Sequence, residues 1–164
     1  MSSWIERSKD IHARLGMDLC YAIKQGNNGK VITLLDAGAP INYQDASGWT
    51  PLTYAAAYKD NAIAITLLER GADVNLCNIN GDSAAMCAVI DNSLHVLFSL
   101  LKHGADMTFT NRSGRTAAEW AKKYNKHEAL VLLNHFTTEV FLMKYINTAI
   151  PAILRLLCWL TLFV

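Results

Sequence analysis

Hydrophobic and polar positions follow a pattern that recurs every 33 residues along the chain. Two independent sets of glycines carry this spacing, and the residues around them recur in the same order. The sets are Gly48, Gly81 and Gly114, and Gly38, Gly71 and Gly104. Because self-similarity at a fixed period of roughly 20–50 residues is the signature of repeat architectures, the pattern predicts a stack of equal units.

Each unit has the pattern of two helices followed by an extended segment. In the second unit, Thr50 can cap a first helix and Pro51 can occupy its first position, where a missing N–H does no harm. An apolar helical segment follows at residues 63–68, and Gly71 after it suits a left-handed C-terminal cap. The stretch from there to Gly81 is rich in turn residues. The pattern therefore predicts a helix, a turn, a second helix and a hairpin-like finger.

The composition narrows the classes of partner and compartment. With 15 Lys and Arg against 14 Asp and Glu, the chain has a net charge of +1, which gives no global field to hold nucleic acid by counterion release. Four cysteines form no C-x-x-C pair and lack the spacing of a secreted disulfide framework. Charges interrupt the apolar runs near the N-terminus, so we expect no secretory signal. We therefore expect an intracellular, cytoplasmic protein that does not bind nucleic acid.

The sequence carries no motif of catalysis or metal binding. None of its five histidines has a Cys, Asp or Glu at metal-ligand spacing. A glycine-rich phosphate loop and a nucleophile elbow are both missing from the sequence. We therefore predict that the protein is not an enzyme and takes no metal, cofactor or small-molecule substrate.

The repeating unit resembles the ankyrin repeat, whose pattern is close to G-x-T-P-L-H-x-A-A, then an apolar second helix, then G-A-D-V-N. The second unit matches with GWTPLTYAA and RGADVN, apart from Thr53 where the family favours His. The third unit has Ser83 and Ala84 in place of Thr-Pro, and the first and fourth are atypical, as terminal units are. The resemblance covers residues 17–136, in units of approximately 17–44, 45–77, 78–110 and 111–136.

The resemblance implies an all-α ankyrin-repeat solenoid, elongated and slightly curved, with hairpin-like loops between helix-turn-helix units. Residues 1–16 would form an N-terminal capping helix, which we read at residues 3–15 with Ser3 and Glu6 in capping-box spacing. Residues 137–164 would form a hydrophobic C-terminal helical tail.

Family members bind other proteins through the loop tips and the exposed parts of the first helices, which form a concave face. The resemblance therefore implies an adapter or inhibitor, of the kind found among cellular regulators and among host-directed effectors of intracellular bacteria. Carried over position by position, the expected partner-binding residues are Ala46, Ser47, Trp49, Tyr58, Ile79, Asn80, Asp82, Asp91, Arg112, Ser113, Arg115 and Tyr124.

Two interpretations stay open for the side chains on this face. Trp49 and Tyr58 can be anchors for a partner, because aromatic residues dominate interface hot spots; alternatively, Trp49 packs on the next finger and Tyr58 leans on Tyr54. Arg112 and Arg115 can hold an acidic partner, or they are solvated charges that contribute little.

The C-terminal segment also has two interpretations. Residues 146–164 are barely long enough to span a bilayer, and Arg155 lies in the middle of them. The segment is either a tail anchor or interfacial helix that attaches the protein to a membrane, or a lid over the last repeat. The lid would cover the apolar second helix of that repeat, at residues 128–133.

Overall fold

The computed structural model describes the backbone of residues 2–138 and the side chains of residues 10–138. The described part is all-α, as predicted, and its only extended pairing is a single antiparallel bridge between Cys77 and Ser83. The helices are α1 (Ser2–Lys24), α2 (Asn28–Asp36), α3 (Pro51–Ala57), α4 (Asn61–Glu69), α5 (Ala84–Ile90), α6 (Leu94–Lys102), α7 (Ala117–Lys123) and α8, whose described part is residues 127–138. Most of the predicted tail, including residues 146–164, lies outside the described residues.

The chain divides into two compact units, Met1–Leu130 and Val131–Val164. In the first unit, consecutive helices pair as α1 with α2, α3 with α4 and α5 with α6. The pairs stack into two layers: α1, α3, α5 and α7 pack in chain order in one layer, and α2, α4 and α6 in the other. In the second unit the described residues, 131–138, are helical.

The N-terminal segment differs from the expectation. A separate leading helix at residues 3–15 was predicted, whereas α1 runs without a break from Ser2 through the first helix of the first repeat. The helix already includes Ser2, so Ser3 is not its N-cap. Gly16 is buried inside the helix, and a Cβ there would overlap the ring of Tyr43. The glycine therefore makes room for a side chain from the first finger and does not end the helix.

The core lies between the two layers. Side chains of the second-helix layer such as Leu67, Val96 and Leu100 are fully buried, and so are those of the first-helix layer such as Leu52 and Val89. Each buried side chain of this size contributes roughly 1.5–3 kcal/mol. Small buried residues allow the first helices to approach closely; they are Ala55, Ala56, Ala84, Ala85 and Ala88.

The first helices begin as their sequences predict. The Thr50 hydroxyl accepts a hydrogen bond from the Thr53 N–H, and Pro51 is the first helical residue. Thr116 caps α7 in the same way, with Glu119 completing a capping box. In the third unit Ser83 replaces threonine and still accepts from the Met86 N–H, at 3.4 Å.

Backbone and amide groups join neighbouring fingers in a repeated pattern. The Ile79 N–H donates to the Ser47 carbonyl at 3.0 Å, and the Arg112 N–H donates to the Asn80 carbonyl at 2.9 Å, one unit further along. At the base of the fingers, the Asn42 side-chain oxygen accepts from the Asp73 N–H at 2.9 Å. These repeated bonds fix the register of each unit on the next.

Candidate protein-binding surface

Three repeat positions form a stripe of side chains across each unit. The first position lies in the finger, the second in the first helix and the third at the end of that helix. We name the stripes by their chemistry. They are the aromatic stripe (Trp49, Tyr54, Tyr58), the acidic stripe (Asp82, Cys87, Asp91) and the basic stripe (Arg115, Trp120, Tyr124), and corresponding members lie 33 residues apart.

The aromatic stripe is a continuous stack of rings. Trp49 and Tyr54 are stacked with ring centroids 5.0 Å apart, and Tyr58 tilts against Tyr54 at 6.4 Å. Tyr58 therefore contacts Tyr54, as one of the two interpretations held, yet 56% of its surface stays exposed. The contact shown for Trp49 is with its own unit. Tyr54 itself is buried, so this stripe offers an exposed ring on a fixed support.

A charged pair flanks the buried Tyr54. Its hydroxyl donates a hydrogen bond of 2.5 Å to Asp45 Oδ2, and Lys24 Nζ from α1 lies 4.2 Å from the ring centroid. Partial burial works to raise the pKa of Asp45, but the hydrogen bonds from the tyrosine hydroxyl and from two finger N–H groups outweigh it and hold the pKa below its ordinary value of 3.8. Interaction with the Tyr54 side chain in turn raises the pKa of Lys24. Both groups are therefore charged near neutral pH and offset each other.

In the acidic stripe the carboxylate of Asp82 is hydrogen-bonded, whereas that of Asp91 has no such bond in the part of the chain that the structure describes. Asp82 accepts hydrogen bonds from Asn111 Nδ2 at 2.7 Å and from Asn78 Nδ2 at 3.4 Å, so it joins neighbouring fingers, which the sequence did not predict. Asp91, at the C-cap of α5, is half-buried, and its carboxylate makes no hydrogen bond or ion pair within the described residues. Cys87 is the stripe position between these two aspartates. Its burial, and to a smaller extent the charges of the two carboxylates, raise the pKa of its thiol to about 12. Cys87 is thus a packing residue.

The basic stripe surrounds a tryptophan with cations. Arg115 Cζ lies 5.4 Å and Lys123 Nζ lies 4.6 Å from the Trp120 ring centre, and Tyr124 stacks on the same tryptophan at 5.2 Å and 3°. Tyr124 is 44% exposed. The carboxylate of Glu119 nearby is engaged by the Thr116 N–H at 2.7 Å. This stripe therefore presents rings together with excess positive charge.

A family model of ankyrin repeats in three copies matches the chain twice, over residues 17–78 and 66–141. The chain belongs to the ankyrin repeat family. No curated protein matches it. Ankyrin repeats are generally protein–protein interaction modules and are typically non-enzymatic. In this ankyrin protein the three stripes are the candidate for such an interaction surface.

The finger tips of the ankyrin units hold the remaining predicted residues. The side chains of Ala46, Ile79 and Arg112 are exposed, with 51% of the isoleucine accessible. Ser47, Asn80 and Ser113 are exposed as well. The carbonyls of Ser47 and Asn80 are already used between fingers, so in these residues only the side chains are free for a partner.

Sequence reasoning missed the aromatic residues in the middle of two stripes and the carboxylate beside one of them. It named Tyr54 only as a neighbour of Tyr58, and it did not single out Trp120 or Asp45. The aromatic residues at 54 and 120 share one repeat position, and comparing units position by position could have found them. The carboxylate of Asp45 stands where the later units have Asn78 and Asn111, a substitution that is also visible in the sequence.

Between residues 10 and 138, no group of three or more His, Cys, Asp or Glu lies close enough together to hold a metal ion. An open depression of about 550 Å³ lies beside α1 and is lined in part by Arg14, Tyr21, Lys24 and Asp45. No helix in the described part of the chain is long and apolar enough to cross a membrane.

Proposed function

We propose that this ankyrin-repeat protein is an adapter or inhibitor that binds a protein partner through its finger tips and the three stripes. One observation carries the proposal. The third stripe position is Gln25, Tyr58, Asp91 and Tyr124 in the four units, so the fold accepts polar side chains there. An exposed tyrosine at this position is therefore not required by the scaffold, and a partner is its most direct explanation.

The energetics agree with this role. Tyrosine, tryptophan and arginine are enriched among interface hot spots, whose truncation costs about 2 kcal/mol or more. Tyr58 tilts against the Tyr54 ring and Tyr124 stacks on the Trp120 ring, so little side-chain freedom is lost when a partner covers them. The surface is thus preorganised for binding.

The proposal includes the partner-binding residues predicted from the sequence. Ala46, Ser47, Ile79, Asn80, Arg112 and Ser113 supply the finger tips; Trp49, Tyr58, Asp82, Asp91, Arg115 and Tyr124 belong to the stripes. It also includes an intracellular setting, which is supported by the free thiols of Cys20, Cys77 and Cys87. Membrane attachment through residues 146–164 stays a prediction.

The test is partner capture by the full chain carrying Tyr58→Gln, the residue of the first unit at this position. Ile65→Thr is the matched control, because Ile65 is also an exposed apolar residue, at 40%, but lies on the second-helix layer. Captured proteins are quantified by mass spectrometry. We expect Tyr58→Gln to weaken binding by about 2 kcal/mol, which is roughly a 30-fold loss of affinity, and we expect Ile65→Thr to leave the affinity unchanged. Equal recovery by the wild type and Tyr58→Gln would remove this face as the contact.

A further inference from the structure

The three stripes differ in charge in a definite order along the stack. The aromatic stripe is close to neutral, because Lys24 and Asp45 offset each other across Tyr54. The next stripe offers the unengaged carboxylate of Asp91, and the last offers Arg115 together with Lys123. A partner complementary to this face therefore presents an apolar group, then a cation, then an anion.

The spacing of the stripes selects the backbone of that partner. They stand on α3, α5 and α7, which pack side by side in this order, and packed helices lie about 8–10 Å apart. A polyproline II segment has three residues per turn and rises about 3.1 Å per residue, so every third side chain points the same way about 9 Å further on.

Other backbones fit this spacing less well. In a β-strand, successive side chains alternate between faces, so positions three apart point in opposite directions and positions two apart are only about 6.7 Å from each other. An α-helix brings a side chain back to the same face after seven residues, about 10.5 Å along. The polyproline II spacing of about 9 Å falls within the usual range for packed helices, whereas the seven-residue repeat of an α-helix, about 10.5 Å, lies above it.

We propose that the face binds an extended, polyproline II-like segment of a partner protein with an aromatic or large apolar residue, a Lys or Arg, and an Asp or Glu at three-residue intervals. The apolar residue packs on Tyr58, the cation pairs with Asp91, and the anion lies between Arg115 and Lys123. The segment can run in either direction, because a polyproline II helix presents the same side-chain spacing both ways. This inference rests on the proposed function and specifies its partner.

The test uses fluorescent peptides and the full-length protein. The two probes have the core Trp-Pro-Pro-Arg-Pro-Pro-Glu and its reverse. Two comparison peptides have the charges exchanged, as Trp-Pro-Pro-Glu-Pro-Pro-Arg and its reverse. A third comparison peptide is helical and carries the same three side chains seven residues apart. Fluorescence polarisation measures affinity at low and at physiological salt. We expect at least one probe to bind more tightly than every comparison peptide, with the difference reduced by salt.

Charge reversal on the protein identifies the contact. Asp91→Lys should weaken probe binding about two- to five-fold, as for a partly exposed ion pair, and should favour the peptide with Glu at the central position. Lysine suits a helix C-terminus, so folding should be retained, and Asp91→Asn is the second, neutral variant. Glu69→Lys on the second-helix layer is the matched control, since it makes the same change at an exposed acid away from the stripes.

Any of three results would overturn the inference: equal binding of probes and charge-swapped peptides, tightest binding of the helical peptide, or unchanged probe affinity in both Asp91 variants. If the peptides fail while a captured protein partner still depends on Tyr58, the peptide chemistry is wrong and the proposed binding function stands. If capture is independent of Tyr58, the proposed function itself fails.

Discussion

The second and fourth units share a scaffold but differ in what surrounds it. Both begin their first helix with a threonine cap, and both place an exposed tyrosine against a second ring. The finger of the second unit packs directly against the next finger: a Cβ added at Gly48 would lie only 2.9 Å from the Ile79 backbone nitrogen. At Gly114 the same Cβ would meet nothing within 4 Å in the described part of the chain. The comparison separates what each unit needs in order to fold from what its neighbours impose.

The largest expected effect comes from placing alanine at these two glycines. Both have positive φ, +74° at Gly48 and +68° at Gly114. An alanine in this left-handed conformation should lower the free energy of unfolding by about 1 kcal/mol at either position. Gly48→Ala also pushes against the next finger, which adds roughly 1–3 kcal/mol. We expect chemical denaturation to show a difference of about 2 kcal/mol. Equal losses would mean that the contact between fingers does not stabilise the stack.

A smaller effect, of opposite sign, is expected in the turns between paired helices. Lys59 and the equivalent Asn125 have φ of +59° and +53°, in a region that asparagine tolerates better than lysine. Lys59→Gly should raise the free energy of unfolding by about 1 kcal/mol, and Asn125→Gly should change it by less. Thermal unfolding of the two variants checks the order. Destabilisation by Lys59→Gly would show that the lysine side chain contributes more than its backbone conformation costs.

The smallest expected effect is the contribution of Asp45 to the pH dependence of stability. The pKa of Asp45 is lower in the folded protein than its ordinary value of 3.8, so its ionised form stabilises the fold above that value and this contribution is lost as the pH falls through the folded pKa. Asp45→Asn imitates Asn111 of the fourth unit and lacks this titration. Unfolding measured at about pH 5 and about pH 3 should show the variant less stable than the wild type at the higher pH, with the gap closing at the lower. A gap that is constant with pH would contradict the assignment.

The sequence predicted most of the fold because the repeat is encoded locally. Thr50, Pro51 and Gly71 each specify a helix start or end, and Gly71 has the expected positive φ of +86°. The continuous α1 could not be predicted in the same way. Gly16 reads as a boundary in the sequence, and only its contact with Tyr43 from a finger explains it.

The candidate binding face was less predictable for a related reason. Exposed positions such as Tyr58 and Tyr124 follow from the repeat register alone. The contacts between units do not, because the cation over Tyr54 comes from another unit, and the hydrogen bonds to Asp82 come from amides of two different fingers. Interactions between units are set by packing, which local sequence patterns do not encode.

The central claim is that the third stripe position is optional for folding and required for binding. Its most direct test is the double variant Tyr58→Gln and Tyr124→Gln, assayed for partner capture and chemical denaturation in the same preparation. We predict that capture is lost while each substitution lowers the free energy of unfolding by no more than about 1 kcal/mol, the value of a stacked aromatic pair. Wild-type capture by a double variant that has lost several kcal/mol of stability would contradict the claim.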